Sequence, residues 1–265
     1  MAASQICFPM VAVDIGNSRV KLGHFEARPE AGAFPAPSRF ATVGPQLEPQ
    51  ALGDWLDDRS PRTWWIASVE RATAARLVER LGQSGKRQAR LLQATDLPLV
   101  VAVPEPDKVG IDRLVNAVAA NQLRQPARGA IVIDIGSAIT VDAVSVDGAF
   151  LGGAILPGIG TSARALHAFT DLLPLSEMTE LDEAPEPLGK NTIAALRSGL
   201  FWGAVGGMRE LTARFAARLP NPQVFVTGGA APSVAEFLVS ASGECAHFVP
   251  HLTLAGIALA ARSVT

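Results

Sequence analysis

The sequence predicts an α/β protein built from two related halves, each a mixed sheet with covering helices. Three observations carry that prediction. The first is the run Val11-Ala12-Val13-Asp14-Ile15-Gly16-Asn17-Ser18, in which an apolar strand ends in a carboxylate and a glycine turn, followed by the alternating run Arg19-Val20-Lys21-Leu22-Gly23. The second is the return of that pattern, in the same frame, at Ile131-Val132-Ile133-Asp134-Ile135-Gly136-Ser137-Ala138-Ile139-Thr140-Val141. The third is the alternation of strand-length apolar runs with helical spacing after each copy. An internal repeat of this kind favours two similar domains, residues 1–126 and 127–265, over one large sheet. Each domain would present one Asp-Gly turn to an interdomain cleft.

In the first half, residues 11–16 and 19–25 read as a β-hairpin. Residues 27–38 are rich in Ala, Pro and Gly and read as a loop. Residues 40–43 fit a strand, 47–56 have helical spacing, and 64–69 fit a strand holding Trp64 and Trp65 on opposite faces. An amphipathic helix is expected over 71–81, stopped by Gly82. Residues 90–92 fit a further strand, and the apolar run 99–103 is closed by Pro104. Residues 110–123 form a strong helix with Leu114, Val115, Val118 and Ala119 on one side.

The second half restarts after Pro126. Residues 131–136 repeat the opening strand. Residues 140–145 and 149–155 fit the next two, joined by Asp147-Gly148, a hairpin-turn signal. Helices are expected over 161–169 and 191–219, the latter interrupted by Gly199, Gly203, Gly206 and Gly207, which would permit close helix–helix contact. Residues 172–189 read as an irregular surface segment. Residues 223–226 form a buried strand running into Thr227-Gly228-Gly229. A short helix, a weak strand near His247 and a helix over 252–262 follow.

Composition narrows the function. With 265 residues, 48% of them hydrophobic, the chain can bury a large core. A net charge of −2 gives no basic footprint for nucleic acid or an anionic membrane. Cys7 and Cys245 form no CxxC pair and suit idle thiols in a reducing cytosol. The four histidines have no metal-ligand spacing. No signal peptide or membrane-spanning run is apparent, so a cytoplasmic protein is expected.

Backbone amides, a hydroxyl and a carboxylate at one turn suit a phosphate with its Mg²⁺. Asp is also favoured at turns for local reasons, so Asp14 or Asp134 alone decides nothing. Their recurrence in one frame points to a shared ligand. Thr227-Gly228-Gly229 serves either as a plain strand-to-helix turn or as a place of close backbone approach to a nucleotide base or ribose. In Gly110-Ile111-Asp112-Arg113, Asp112 suits the first turn of a helix, whereas Arg113 opposes the helix dipole. A guanidinium placed against local preference suits a ligand carboxylate.

These residues together carry a family resemblance. The order Asp14-Ile15-Gly16-Asn17-Ser18, Gly110-Ile111-Asp112-Arg113, Asp134-Ile135-Gly136-Ser137-Ala138-Ile139-Thr140, Gly152-Gly153-Ala154-Ile155-Leu156-Pro157-Gly158, Gly189-Lys190-Asn191-Thr192 and Thr227-Gly228-Gly229 resembles type III pantothenate kinases, and also the related Bvg accessory factor. The resemblance implies two ribonuclease-H-like domains of the actin-like kinase superfamily and a homodimer with active sites at the subunit interface. It implies ATP with Mg²⁺ bound by Asp14, Ile15, Gly16, Asn17, Ser18, Arg19, Val20 and Lys21, with Ser137, Gly228 and Gly229 also on the nucleotide. Pantothenate would meet Gly110, Ile111, Asp112, Arg113 and Thr192. Asp112 would be the general base, and Arg113 would hold the substrate carboxylate. Asp134 would hold a monovalent cation, K⁺ or NH₄⁺, and Asp14 the Mg²⁺.

Three departures stand out. Ser137 replaces the family's usual Thr and keeps the hydroxyl. Ile139 replaces a usual Thr and removes a polar group expected beside the phosphates. The chain has no Tyr, a residue the family often places near pantothenate. The expected activity is ATP-dependent phosphorylation of pantothenate, the first step towards coenzyme A. A nucleotide-binding regulatory protein of the same fold, with little kinase activity, is the alternative. A sugar or polyphosphate kinase or phosphatase of the superfamily fits the Gly-x-Asp-Arg helix less well.

Overall fold

A computed structural model describes residues 8–57, 61, 63–83, 85–176, 184–238 and 245–263. The first elements in chain order are β1 (Met10–Ile15), β2 (Val20–Phe25), β3 (Arg39–Val43), α1 (Pro49–Leu52), β4 (Thr63–Ser68), α2 (Arg71–Gly82), β5 (Gln88–Leu91) and α3 (Ile111–Leu123). Then come β6 (Ala130–Ile135), β7 (Ala138–Val144), β8 (Phe150–Pro157), α4 (Ile159–Phe169), α5 (Thr192–Ala216), β9 (Gln223–Thr227), β10 (His247–Phe248) and α6 (Leu252–Ser263). The chain divides into two compact units, Met1–Leu123 with His251–Thr265, and Arg124–Pro250.

The first unit holds a sheet of order β3-β2-β1-β4-β5, antiparallel from β1 through β2 to β3 and parallel from β1 through β4 to β5. Strand β1 is buried along its whole length, as expected of a central strand with both faces covered. Val11, Val13 and Ile15 share a core with Trp64, Ile66, Leu77 and Leu81. Trp64 and Trp65 are both buried on opposite faces, so the sheet is packed on each side. Helix α6 packs against α3 and strands β1, β2 and β4. Its residues Leu252–Ala261 are buried throughout. Gly256 allows the close crossing with α3, because a Cβ there would overlap the backbone of Val115.

The second unit repeats this plan, with order β8-β7-β6-β9-β10 and the same senses of pairing. Strand β6 is its counterpart of β1. Ile131, Ile133 and Ile135 pack with Val141, Phe201, Val205, Met208 and Val226 in one core that α4 and α5 complete.

Three expectations need correction. Position in the sequence puts the terminal helix in the second domain. It belongs instead to the first unit, where its apolar faces meet β1 and α3. The helical spacing over 47–56 does not give one helix. Leu47 is left-handed at φ 54°, and Pro49 confines the helix to α1, followed by a 3-10 turn at Gly53–Trp55. The short helix after Gly229 is only a 3-10 turn, Ala235–Phe237, among the described residues. Cys7 and residues 177–183 lie outside the described residues; Cys245 is exposed.

Candidate active site

In the first unit, β1 ends at Ile15 and the chain turns through exposed Asn17, Ser18 and Arg19 into β2. The turn closes with the Gly16 amide donating to the Arg19 carbonyl at 3.0 Å. Asp14 lies directly opposite Lys21 in the antiparallel register, and Lys21 Nζ meets Asp14 Oδ2 at 3.1 Å. Asp14 is 7% exposed, so its carboxylate sits at the rim of the core with a cation beside it. Gly16 is not left-handed, and a Cβ there would meet only the Arg19 carbonyl at an ordinary 3.4 Å. Packing within the unit therefore does not demand this glycine.

The Gly-x-Asp-Arg segment reaches the same edge of the sheet. The Val69 amide, just past β4, donates to the Ile15 carbonyl at 3.0 Å. A Cβ on Gly110 would lie 3.6 Å from Val69 Cγ1. The start of α3 is thus tied to the carboxyl ends of the parallel strands β1 and β4, where open α/β sheets bind ligands. A Cβ on Gly110 would lie 2.5 Å from Asp112 Oδ1, so a larger residue there would displace that carboxylate. That oxygen also accepts the Arg113 amide at 2.9 Å. The local role that first-turn Asp residues play is therefore present. Asp112 and Arg113 are half-buried, and Ile111 is buried in the unit.

His251, to which sequence reasoning gives only a structural or surface role, stands near this turn. It precedes α6 in a left-handed conformation, φ 58°, and its ring packs tilted against Phe40, the centroids 4.1 Å apart. Burial pushes its imidazole below the ordinary value of 6.5, and the Lys21 ammonium pushes it further.

In the second unit the echo of the turn is one residue tighter. Ile135 pairs with Ile139, whereas Ile15 pairs with Val20. The Gly136 amide donates to the Ala138 carbonyl at 3.0 Å, and Gly136, Ser137 and Ala138 are exposed. Asp134 faces Thr140, so this copy has no lysine at the place of Lys21. Gly228 follows β9 at φ 105°, a conformation open to glycine. A Cβ there would crowd the Ile135 backbone and Asp134 Oδ1. The structure thus brings Gly228 to Asp134. Gly229 is exposed beside it, and Thr192 is exposed at the start of α5, after Asn191 caps that helix through Ala194.

Ile139 corrects an expectation. Its side chain is fully buried among Ile133, Ile135 and Val141, so it points into the core and not to the exposed face of the turn. Replacing a Thr there takes no hydroxyl from that face. Sequence reasoning gives no role to Gly158 or Thr161, whose contacts with the Ser137 carbonyl are visible only in three dimensions. The available signal is the run Pro157-Gly158-Ile159-Gly160-Thr161 after β8.

Solved structures share this architecture. A protein from Campylobacter jejuni, whose description suggests a Baf family transcriptional activator, superposes with a TM-score of 0.57 at 20% identity, covering 93% of this chain and 94% of that one. One from Sinorhizobium meliloti, whose description suggests a 2-dehydro-3-deoxygalactonokinase, gives 0.56 at 16% identity, with 96% of each chain covered. Two like units, each with a five-stranded mixed sheet and an Asp-Ile-Gly turn after its central strand, make up the fold that these structures share. The family model for type III pantothenate kinase matches residues 10–214. A type III pantothenate kinase of Saccharopolyspora erythraea is 33% identical over 269 residues, covering 94% of this chain and 97% of the relative. The chain belongs to the type III pantothenate kinase family.

Proposed function

We propose that this protein phosphorylates pantothenate with ATP, giving 4'-phosphopantothenate for coenzyme A synthesis. The observation that carries the reading is the placing of Gly110–Arg113 at the strand edge that also holds the Asp14–Lys21 turn, within a chain whose family is established. A base and a carboxylate anchor then stand at the sheet edge that carries the first phosphate turn.

In this reading the turn from Asp14 to Lys21 and the exposed Ser137 turn take the nucleotide phosphates. Gly228 and Gly229 lie along the nucleoside. Asp112 accepts the proton of the pantothenate hydroxyl as that oxygen attacks the γ-phosphate, and ADP leaves. Arg113 pairs with the pantothenate carboxylate, a task for its planar fork. Thr192 contacts the same substrate.

The residues fit a divalent ion. Asp14 offers one hard carboxylate oxygen set at an exposed turn, and Mg²⁺ is commonly held by one or two carboxylates plus substrate phosphates. Asp134, partly buried beside Gly228, offers oxygen for a monovalent cation. When bound, these ions offset phosphate charge.

A cytoplasmic homodimer completes the reading. In the second unit Ile155, Phe169 and Leu172 are 64%, 89% and 87% exposed, with Leu151, Leu166 and Ile193 also exposed. Gly199, Gly203 and Gly206 on α5 have open space where a Cβ would stand. Exposed apolar side chains and open helix glycines of this kind suit burial against a second copy. Among the described residues no helix is long and apolar enough to cross a membrane.

Release of ADP with a panel of acceptors tests the reaction. Pantothenate should raise it above the ATP-only background in the presence of Mg²⁺ and K⁺ or NH₄⁺. A response to a hexose or polyphosphate but not to pantothenate would sink the proposal.

A further inference from the structure

The turn at Gly136-Ser137-Ala138 is held from behind by residues with no assigned role. The Ser137 carbonyl accepts the Gly158 amide at 3.0 Å and the Thr161 hydroxyl at 2.6 Å. Gly158 is buried, and a Cβ there would overlap the Gly136 and Ser137 carbonyls, so the two segments are in backbone contact. The guanidinium of Arg164, one turn along α4, donates to the Thr161 hydroxyl oxygen at 3.1 Å. A threonine hydroxyl has one hydrogen. With its oxygen occupied by Arg164, that hydrogen is directed to Ser137.

The consequence follows from peptide geometry. In a planar trans peptide the C=O of one residue and the N–H of the next point in opposite directions. Fixing the Ser137 carbonyl towards Gly158 and Thr161 therefore aims the Ala138 amide to the opposite, exposed side of the turn. That side is where the proposed function places nucleotide phosphate, and a donor set in advance costs no reordering when the ligand arrives.

We propose that Thr161, oriented by Arg164, is a positioning residue for nucleotide binding: it locks the second phosphate turn so that the Ala138 amide faces the ATP phosphates. The proposal rests on the reading of Ser137 as part of the ATP site. The substitution Thr161→Ser retains the role, because the hydroxyl carries it. The substitution Thr161→Val keeps the shape and loses the hydrogen bond.

Calorimetric titration of the full chain with Mg·ATP, beside steady-state kinetics, tests this. Thr161→Val should weaken ATP binding about tenfold, the scale of one lost bond to a group that must stay ordered. The KM for pantothenate should stay within about twofold, and Thr161→Ser should restore ATP affinity to the same margin. Arg164→Met should weaken ATP binding about threefold; Arg164 is exposed, so this variant decides the matter if Thr161→Val does not fold. Wild-type affinity in the folded Thr161→Val protein, or in Arg164→Met where Thr161→Val fails to fold, overturns the proposal alone. A wild-type protein that binds no Mg·ATP overturns the reading of the turn, and the proposal with it.

Discussion

Lys21 is the residue where local structure and chemistry meet most directly. Register alone places it across from Asp14, and its ammonium lies 3.1 Å from the carboxylate. The Lys21 side chain is 28% exposed and that of Asp14 10%, so solvent screens the pair only in part. Its value lies in presenting a cation where phosphate is expected. Lys21→Met should therefore raise the KM for ATP about tenfold or more, beyond the stability lost when the Asp14 carboxylate is left unpaired; equal KM values would remove Lys21 from the nucleotide site. Gly228 makes a second residue-scale prediction. Its φ of 105° and the closeness of Asp134 Oδ1 leave no room for a side chain. Gly228→Ala should lower both stability and monovalent-cation activation, measured as activity with and without K⁺. The two aspartates, the glycines and Asp112-Arg113 were all legible in the sequence, because turn chemistry is local. The burial of Ile139 and the bond from Thr161 to Ser137 were not, because they depend on which face of a strand is covered and on what packs behind it.

At the scale of elements, caps and packing decide what spacing alone does not. Glu70 caps α2 by accepting the amides of Ala72 and Thr73 at 3.0 and 2.7 Å. Bonds from the Thr73 side chain and from these amides hold its carboxyl below the ordinary 4.5. The folded state thus binds its proton less readily than the unfolded state. The cap's contribution is present above about pH 4.5 and is lost as pH falls through the depressed value. His251 at the start of α6 works in the opposite charge sense. Its imidazole is kept neutral by burial and by Lys21, so the unfolded chain takes up a proton first as pH drops below 6.5. Stability should be flat above that value and decline below it. His251→Asn, which tolerates the left-handed backbone, should flatten the melting-temperature profile between about pH 5 and 7. An unchanged slope would show that other groups set it. The 47–56 segment illustrates the limit of periodicity: apolar spacing suited a helix, but Pro49 and the left-handed Leu47 cut it short.

At the scale of the molecule, the repeat was legible because β1 and β6 are both central strands whose sequences carry the same Asp-Ile-Gly ending. The return of α6 to the first unit was not legible, since its ten consecutive buried residues would suit either core. The proposed homodimer would bury the exposed Phe169 and Leu172: native mass spectrometry should then show a dimer, and Phe169→Asp should shift it towards monomer. A wild-type monomer at micromolar concentration would remove the dimer. The central claim is that this fold delivers a phosphoryl group from ATP to pantothenate with Asp112 as the base. Mass spectrometry of the product, comparing wild type with Asp112→Asn under ATP, Mg²⁺ and K⁺ or NH₄⁺, tests it most directly. The wild type should form phosphopantothenate, and the folded variant should lose about a hundredfold or more of that activity. No phosphopantothenate from the wild type with either cation, or near-normal product from Asp112→Asn, would contradict it.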